Sequence, residues 1–457
     1  MSDHRLVNKK PSDLPAQDSR KRIEFGKHCR ETLQREAHAE LLTKERRLDP
    51  VDVLLASATD RVRELLPVKY ARMKVSPFAF FRGAVSIMAA DLARMPNSGL
   101  HAQLCGDAHV QNLGSFAAQD GRLVFDLNDF DETIRGPWEW DVKRMAASIV
   151  LAGRESGHDD AACRTAAAGF AATYCASIKE FSGLSILRAA RWQVHAADSR
   201  SAPIHAALLQ SERAHPLDLL KKFTEPGPHG APRFRNLPPL FRRITGPVSK
   251  AVLQSLAAYR KALAPERKHL FDLFRPIDVG FKVVGTGSVG LRDYVILFEG
   301  NGPKDPMFLQ IKQEVASAYA KYLPNSDDGP HTNQGRRAAE GQRAIQPMSD
   351  LLLGWTTIGP YDYLVRQLND HKGSIELDKL RGDGLSQLGV MAGELLARGH
   401  ARSGDSCQIR GYCGSGGKVA KAIATFAIAY ANQTDTDYRS FLAAIKNGKI
   451  KTAESSS

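Results

Sequence analysis

Asp107, His109 and Asn112 lie close together in the segment LCGDAHVQNLG. A carboxylate, an imidazole and an amide at this spacing can orient a hydroxyl group, accept its proton and help to bind a hard cation. A second segment, VFDLNDFDE, follows one short hairpin later and adds the acidic residues Asp126, Asp129, Asp131 and Glu132. Carboxylates so close together repel one another, which favours either exposure to solvent or a bound cation. Because each segment follows an apolar run typical of a strand, we expect the two at neighbouring strand ends, where they would form a Mg²⁺ site.

The segment VVGTGSVGLRDYVILFEG has glycines in the spacing G-x-G-x-x-G, at Gly285, Gly287 and Gly290. In a dinucleotide-binding fold a helix follows such glycines, but here the next residues, YVILF, favour a strand. The pattern also lacks the G-K-[ST] ending of a P-loop. It therefore predicts a β-hairpin whose glycine-rich tip can lie over the phosphates of a nucleotide.

The next strand-like segment, FLQIKQE, contains Lys312 among apolar neighbours. A lysine in an apolar environment needs an anionic partner, either a carboxylate or a phosphate. We expect Glu340, in the helix-like segment RRAAEGQRAIQ, to be that partner, with Glu314 as the second choice. The alternative is that Lys312 lies on an exposed edge strand.

Helices and a late β-rich unit are expected to position these residues. Apolar spacing predicts helices within residues 50–95, 142–181 and 377–446. Strands are predicted around the two acidic segments and over residues 277–311, followed by a short helix near 336–348 and the strand YDYLVRQL.

The chain is expected to divide into four parts. Residues 1–47 are rich in charge and predict a solvated arm, with packing onto the body as the alternative. Residues 48–275 would form a large lobe that contains the acidic segments, 276–372 a small β-rich nucleotide-binding lobe, and 373–457 the helices that complete the large lobe. Within the large lobe, residues 225–248 contain six prolines and four arginines, which predicts a linker or a mobile basic lid without regular structure.

Composition restricts the class of protein. The 457 residues have a formal net charge of +13, which points to anionic partners without choosing among them. Aromatic residues make up 7% of the chain and do not alternate with basic ones, so a nucleic-acid-binding surface is not expected. We expect neither a membrane span nor a signal peptide, because no apolar run has the length or position that either needs. The 6 cysteines form no CxxC pair, so we expect a cytoplasmic protein with reduced cysteines.

Several segments resemble known families. CGDAHVQN resembles the catalytic loop of aminoglycoside and choline phosphotransferases, and LNDFDETIRGPWEWDVKR resembles a later stretch of the same proteins. GTGSVG with LQIK resembles the glycine loop and lysine strand of protein-kinase-like proteins. Together with SPFAFFRG, YLVRQLNDHKGS and ARGHARSGD, these segments are similar to a bacterial family called domain of unknown function 2252, over residues 48–447. That family name implies no activity.

The phosphotransferase resemblance implies a role for each matching residue. Asp107 would orient the acceptor hydroxyl and accept its proton, while Asn112 and Asp129 would bind Mg²⁺. The remaining matches are Asp131 as a further metal ligand, His109 as a residue that fixes the loop, Asp141 as its structural support, and Gly285, Gly287, Gly290, Lys312 and Glu340 as the ATP-binding set.

The resemblance also implies an unusual chain order. Kinase-like proteins have the glycine loop and the lysine before the catalytic loop, whereas here Asp107 and Asp129 precede Gly287 and Lys312. We therefore expect an α+β, two-lobed, protein-kinase-like fold that is circularly permuted. The small antiparallel β lobe would be inserted late, and the helical large lobe would be built from both ends of the chain.

The function expected from these residues is ATP- and Mg²⁺-dependent phosphotransfer to an unknown acceptor that bears a hydroxyl or an anionic group. An ATP-binding regulator without turnover has the same fold and is the first alternative. A basic nucleic-acid-binding protein is a less favoured alternative. So is a metal-dependent hydrolase, which would use Asp107, His109, Asp126 and Asp129.

Two further segments contain candidate residues. Arg82 in SPFAFFRG can either bind a phosphate or complete the end of a helix. His400, Arg402 and Asp405 in GHARSGD favour structural ion pairs, because charged turns seldom do chemistry.

Overall fold

The computed structural model describes most of the chain, namely residues 18–42, 46, 48–195, 201–213, 216–227, 231–238, 241–283, 287–324, 332–368 and 373–453. These residues form α-helices and antiparallel sheets, so the predicted α+β class is confirmed. Within the described ranges, no helix is both long enough and apolar enough to cross a membrane.

Helices and strands are numbered here in chain order. The helices are α1 (Ser19–Thr32), α2 (Pro50–Ala56), α3 (Leu66–Met73), α4 (Pro77–Gly83), α5 (Val85–Leu92), α6 (Trp138–Glu155), α7 (Asp160–Gly183), α8 (Ile186–Arg191), α9 (Ala202–Glu212), α10 (Pro216–Phe223), α11 (Gly246–Ala262), α12 (Pro265–Asp272), α13 (Gln334–Ile345), α14 (Gly384–Ser403), α15 (Ser406–Cys413) and α16 (Gly417–Lys446). The strands are β1 (His101–Leu104), β2 (Leu113–Ala117), β3 (Leu123–Leu127), β4 (Ile134–Pro137), β5 (Val194–His195), β6 (Thr224–Pro226), β7 (Pro232–Phe234), β8 (Phe241–Ile244), β9 (Arg275–Lys282), β10 (Asp293–Glu299), β11 (Pro306–Glu314), β12 (Gly354–Ile358), β13 (Tyr361–Gln367) and β14 (Gly373–Ser374).

The helices α6, α7, α14 and α16 pack together around one large apolar core, which we call the helical lobe. Small residues let α7 and α14 approach closely: a Cβ on Gly393 would lie 2.6 Å from the carbonyl oxygen of Phe170, so no larger residue fits there. Trp138, at the start of α6, stacks on Tyr174 of α7 with ring centroids 5.3 Å apart. Helices that are far apart in sequence therefore share one core.

Antiparallel strands form the main sheet in the order β12-β13-β11-β10-β9-β8. β9 and β10 form the hairpin that the glycine-rich segment predicts. Lys312 lies on β11, which has a neighbouring strand on each side, and its partner across the ladder to β13 is Leu364. Lys312 is therefore not on an edge strand. α13 connects β11 to β12 and α11 packs against β12, and we call the sheet with these helices the sheet lobe.

The prediction of an irregular lid for residues 225–248 is wrong. β8, within this segment, is an edge strand of the main sheet, and β6 pairs with β7. Proline is tolerated at strand ends, and Pro226 and Pro232 lie there, whereas β8 has the proline-free sequence FRRI. Arg243 of β8 also forms an ion pair with Asp278 at 2.8 Å. Regular structure forms here because the prolines of β6 and β7 lie at strand ends, and none lies within β8, whose interior is free to pair.

The charged arm packs onto the body wherever its residues are described. α1 lies against α15, and a Cβ on Gly26 would overlap the carbonyl oxygen of Gln408, so only glycine fits. Arg46 forms ion pairs with Asp91 and Asp437 in the helical lobe. For residues 18–42 and 46, the structure therefore shows the alternative, packing onto the body; the rest of the predicted arm lies outside the described residues.

Candidate active site

One face of α6 supports the loop that follows β1. Asp141 accepts two backbone N–H groups at the start of this loop, from Cys105 at 2.8 Å and from Gly106 at 3.0 Å. Arg144 Nε donates to Asp107 Oδ1 at 2.8 Å. Asp141 and Arg144 are three residues apart and therefore lie on the same face of the helix. α6 thus fixes both the backbone of the loop and the direction of the Asp107 side chain.

Arg144 binds only one of the two carboxylate oxygens of Asp107. Oδ1 accepts from Arg144, whereas Oδ2 lies 3.6 Å from His109 Nε2. Burial lowers the pKa of His109 to about 3, so its ring is neutral near pH 7. Asn112 Nδ2 donates to the backbone carbonyl of Asp107 at 2.8 Å. The amide nitrogen of Asn112 is thereby used within the loop, and its amide oxygen is the atom that can face a cation.

Lys312 forms its ion pair with Asp131, so the prediction that Glu340 is its partner is wrong. Lys312 Nζ lies 2.6 Å from Asp131 Oδ1 and 3.7 Å from Asp129 Oδ1. Burial opposes the charge of Lys312, but the carboxylates of Asp129 and Asp131 outweigh it and raise the pKa of Lys312. Glu340 is instead 43% exposed and pairs with Arg336 of the same helix at 2.8 Å.

α13 contacts the acidic segment through an arginine. Arg337 donates to the carbonyl oxygens of Asp131 at 2.7 Å and of Thr133 at 2.6 Å. Glu314, the second choice as partner of Lys312, lies 4.0 Å from Arg337 and two residues after Lys312 on β11. The side chain that α13 directs inward is thus Arg337, which binds backbone carbonyl groups, and not the expected Glu340.

The carboxylates of the acidic segment differ in what they can still bind. Both oxygens of Asp131 contact Lys312, whereas the Asp129 side chain lies 3.7 Å from Lys312 and is 32% exposed, so Asp129 is the more accessible of the two carboxylates. Asp126 is buried and accepts from Arg398 at 2.8 and 2.5 Å, one bond to each oxygen. Among the described residues, no three His, Cys, Asp or Glu side chains are arranged to hold a metal ion. Both oxygens of Asp126, one of the four residues of the hydrolase alternative, are already bound by Arg398.

Two cavities meet at Asp129, which lines both of them. The smaller has a volume of about 340 Å³, and its lining includes Asp107, His109, Asn112 and Gly287. The larger has a volume of about 720 Å³, and its lining includes Lys312, Lys282, Arg366, Phe223 and Leu368. The two acidic segments therefore converge. The strands that precede them, β1 and β3, nevertheless belong to different sheets, so the prediction of neighbouring strand ends in one sheet is wrong.

The glycine loop lies against the smaller cavity. Gly287 lines it, and Lys69 Nζ of α3 donates to the carbonyl oxygen of Gly287 at 3.3 Å. Gly290 has a φ of 96°, in the left-handed region that favours glycine. Gly285 lies outside the described residues, as do the last two residues of the hinge-like segment LVRQLND.

Arg82, near the end of α4, lines the smaller cavity together with Asp107 and Asp129. Its guanidinium carbon lies 5.9 Å from the centre of the Phe78 ring. The buried Nε atom has no hydrogen-bond partner among the described residues. Arg82 is expected from the sequence either to bind a phosphate or to complete the end of a helix. The structure places its side chain at the cavity wall, where Nε can still donate a hydrogen bond.

The GHARSGD segment has structural contacts. His400 Nδ1 bonds the hydroxyl group of Tyr174 at 2.8 Å, and Arg402 Nε donates to the carbonyl oxygen of Ala344 at 3.2 Å. Asp405 accepts the first N–H groups of α15. None of His400, Arg402 and Asp405 lines either of the two cavities.

The sequence-based predictions miss several cationic residues of the site, among them Arg61, Lys69, Arg144 and Arg337. A signal for Arg144 exists, because it follows Asp141 by three residues on a predicted helix. No comparable signal exists for Lys69, whose contact with Gly287 joins positions 218 residues apart. Such a contact is determined by how the two lobes pack and leaves no local pattern.

Together, these features define an α+β protein in which two connected cavities lie beside a helical lobe and an antiparallel sheet. The chain belongs to the family described as an uncharacterized protein conserved in bacteria (DUF2252), whose model matches residues 61–444. The family expected from the sequence is thus confirmed. No curated protein and no solved structure matches the chain.

Proposed function

We propose that the protein transfers the γ-phosphoryl group of ATP to a hydroxyl group of an acceptor, with Mg²⁺ as the metal. The observation that carries this proposal is that the two cavities meet at Asp129. One cavity contains Lys312 and the other contains Asp107, so nucleotide and acceptor can lie on opposite sides of one carboxylate. Phosphoryl transfer depends chiefly on such positioning and on charge neutralisation.

The larger cavity suits a nucleotide. Its volume of about 720 Å³ is in the range of small-molecule sites. Phe223, Val283 and Leu368 supply apolar surface for a base, while Lys312 and Arg366 supply positive charge for phosphates. Positive side chains and an apolar wall in one cavity are the combination that a nucleotide needs.

Asn112 and Asp129 are the residues that would hold Mg²⁺. An amide oxygen and a carboxylate suit a hard cation that takes few protein ligands and completes its shell with phosphate oxygens and water. Both residues line the smaller cavity, where the amide nitrogen of Asn112 is already bonded and the Asp129 side chain is 32% exposed. When bound, Mg²⁺ would neutralise charge on the phosphates.

Asp107 would act on the acceptor. Its Oδ2 would accept the hydroxyl proton while the acceptor oxygen forms a bond to the γ-phosphorus. The bond between the γ-phosphorus and the β–γ bridging oxygen breaks, and ADP leaves with that oxygen. Arg144 contributes by fixing Oδ1, so that the second oxygen has a defined direction.

We also propose that the fold is protein-kinase-like and circularly permuted. The glycine hairpin of β9 and β10, the lysine strand β11, α13 and the hinge-like strand β13 follow one another along the sheet lobe. The resemblance implies this same order, with the catalytic loop moved ahead of it. A solved structure with a bound nucleotide would test the fold directly, because the nucleotide would contact both Lys312 and the glycine loop.

The test of the proposed activity is the release or transfer of phosphate from radiolabelled ATP. Asp107→Asn should lower turnover by about 10²- to 10⁴-fold, with the affinity for nucleotide changed little, because Asp107 does not line the larger cavity. Asp378→Asn, at a carboxylate that is 60% exposed, is the matched control and should behave as wild type. Equal turnover by Asp107→Asn and wild type would contradict the proposed role.

An ATP-binding regulator without turnover is the second candidate. The specific observation in its favour is that Arg144 occupies one oxygen of Asp107 and Lys312 occupies Asp131. Tight nucleotide binding without phosphate release or transfer by the wild type would favour this candidate.

A further inference from the structure

Besides the exposed Lys321, three cationic side chains from separate elements line the smaller cavity. Arg61 lies in the turn after α2, Lys69 lies on α3 and Arg82 lies on α4. All three line the cavity of Asp107 and none lines the larger cavity of Lys312. The proposed nucleotide site therefore gives them no role.

These three cations lack carboxylate partners. Lys69 is only 2% exposed, and its Nζ donates to the Gly287 carbonyl oxygen at 3.3 Å. Arg61 Nη1 donates to the carbonyl oxygen of Val289 at 2.6 Å, and Arg82 Nε is buried without a partner. In the part of the chain that is described, none of the three forms an ion pair with a carboxylate. A buried cation that only contacts carbonyl groups is costly unless an anion joins it.

The carboxylates of the same cavity are already engaged or lie at its exposed rim. Asp107 is bound by Arg144, and Asp131 by Lys312. Glu132 accepts the N–H of Ala318 at 2.6 Å. The remaining lining carboxylates are Asp60, which is exposed, Asp129, which lies 3.7 Å from Lys312, and Glu314, which lies 4.0 Å from Arg337. Glu132 and Asp107 act on this wall from a distance, but no carboxylate of the cavity forms a direct ion pair with Arg61, Lys69 or Arg82 in the described residues.

We infer that the smaller cavity binds an acceptor that carries an anionic group, a phosphate or a carboxylate, beside its hydroxyl group. Arg61, Lys69 and Arg82 would bind the anion, and Asp107 would accept the hydroxyl proton. This inference rests on the proposed function, because only a phosphotransferase would make the bound molecule an acceptor. The anionic group only helps to bind the acceptor and forms no new bond. The reaction is the one given above, in which the acceptor oxygen bonds to the γ-phosphorus and ADP leaves.

The γ-phosphate of ATP is a second source of the same chemistry, because Lys69 also contacts the glycine loop. The observations favour the acceptor, since all three cations share the cavity of Asp107 and not that of Lys312. The two sources make different predictions for nucleotide affinity, and an experiment can separate them.

The test is calorimetric titration of the full chain with inorganic phosphate, first alone and then with Mg²⁺ and a non-hydrolysable ATP analogue bound. Wild type should bind phosphate in both states. Lys69→Met and Arg82→Gln should each weaken phosphate binding at least tenfold and leave the affinities for ADP and the ATP analogue within twofold of wild type. Lys261→Met, at an exposed lysine of α11, is the control and should bind phosphate as wild type does.

Other outcomes would overturn the inference. The anion site would be excluded if wild type failed to bind phosphate alone, and equally if it failed to bind phosphate with Mg²⁺ and the ATP analogue present. Loss of affinity for the ATP analogue but not for ADP in the two variants would assign the cations to the γ-phosphate instead of the acceptor. If wild type bound phosphate but no nucleotide, the phosphotransferase proposal would be refuted, and the assignment of the bound molecule as an acceptor with it. The anion site itself would still be supported. Arg82→Gln keeps the test valid if Lys69→Met does not fold, because Arg82 is only partly buried.

Discussion

Lys312 and Asp131 neutralise each other where an unpaired charge would be costly, with side chains that are 4% and 20% exposed. Removing one partner of a buried ion pair costs about 3–5 kcal/mol, because the other charge stays buried. We therefore predict that Lys312→Met lowers the free energy of unfolding by roughly this amount, and that adding Asp131→Asn restores most of it. Denaturant unfolding of both single variants and the double variant measures the coupling.

The exposed residue Lys261 provides the control for this cycle, since Lys261→Met removes a lysine that has no buried partner. Its free energy of unfolding should remain close to that of wild type. Losses for Lys312→Met and Asp131→Asn that simply add would show that the two side chains do not stabilise each other.

At the scale of the element, α6 determines where the loop that contains Asp107 lies. Asp141 accepts two N–H groups of the loop while 1% exposed, and hydrogen bonds to a charged group contribute about 1.5–3 kcal/mol each. We predict that Asp141→Asn lowers the free energy of unfolding by about 1.5–3 kcal/mol and reduces phosphate release, because Asp107 loses its support. Unfolding curves and turnover measured on the same preparation check both effects. Wild-type turnover in a destabilised variant would show that the loop keeps its shape without Asp141.

The turn that follows α1 should respond to pH through His38. Its Nε2 bonds the Tyr412 hydroxyl at 2.8 Å, and burial, with a smaller contribution from Lys143, lowers the pKa of His38 to about 3. The unfolded chain therefore binds a proton below about pH 6.5 that the folded chain excludes. We predict that this contribution to stability is complete above pH 6.5 and is lost toward pH 3, by at most about 1.4 kcal/mol per pH unit.

His38→Gln isolates this contribution, because glutamine can bond Tyr412 but does not titrate. Unfolding measured between pH 7 and pH 4 should show a shallower loss for the variant than for wild type. Parallel curves would mean that His38 is protonated in the folded protein without cost.

The sequence predicts which residues of one short segment lie together, but it does not predict which side chains of a helix point inward. The grouping of Asp107 with Asn112, and the hairpin that contains Gly287, follow from local spacing and from β-forming neighbours. Glu340 shows the limit: its segment is helical as predicted, but packing against β13 turns Arg337 inward and leaves Glu340 partly exposed. The rotation of a helix about its axis depends on what it packs against, and that information lies elsewhere in the chain.

At the scale of the whole molecule, the site draws on both lobes. Asp107, Asn112 and Asp129 lie in the helical part, whereas Lys312 and Gly287 belong to the sheet lobe. A ligand that contacts both sets stabilises the folded chain by RT ln(1 + [L]/Kd), about 2.7 kcal/mol when the ligand is at 100 times its Kd. The net charge of +13 agrees with an anionic ligand, and the three side chains Arg61, Lys69 and Arg82 give part of that charge a specific place in the smaller cavity.

This arrangement leads to a prediction about the metal. ADP should raise the Tm of wild type, and Mg²⁺ should raise it further, because the cation would join the nucleotide phosphates to Asp129 and Asn112. Asp129→Ala should remove the increment that Mg²⁺ adds and keep the increment from ADP alone, since Lys312 and the apolar wall of the larger cavity remain. Asp378→Ala, at an exposed carboxylate, should keep both increments. Thermal unfolding with ADP, with and without Mg²⁺, measures them, and an unchanged Mg²⁺ increment in Asp129→Ala would exclude that residue as a metal ligand.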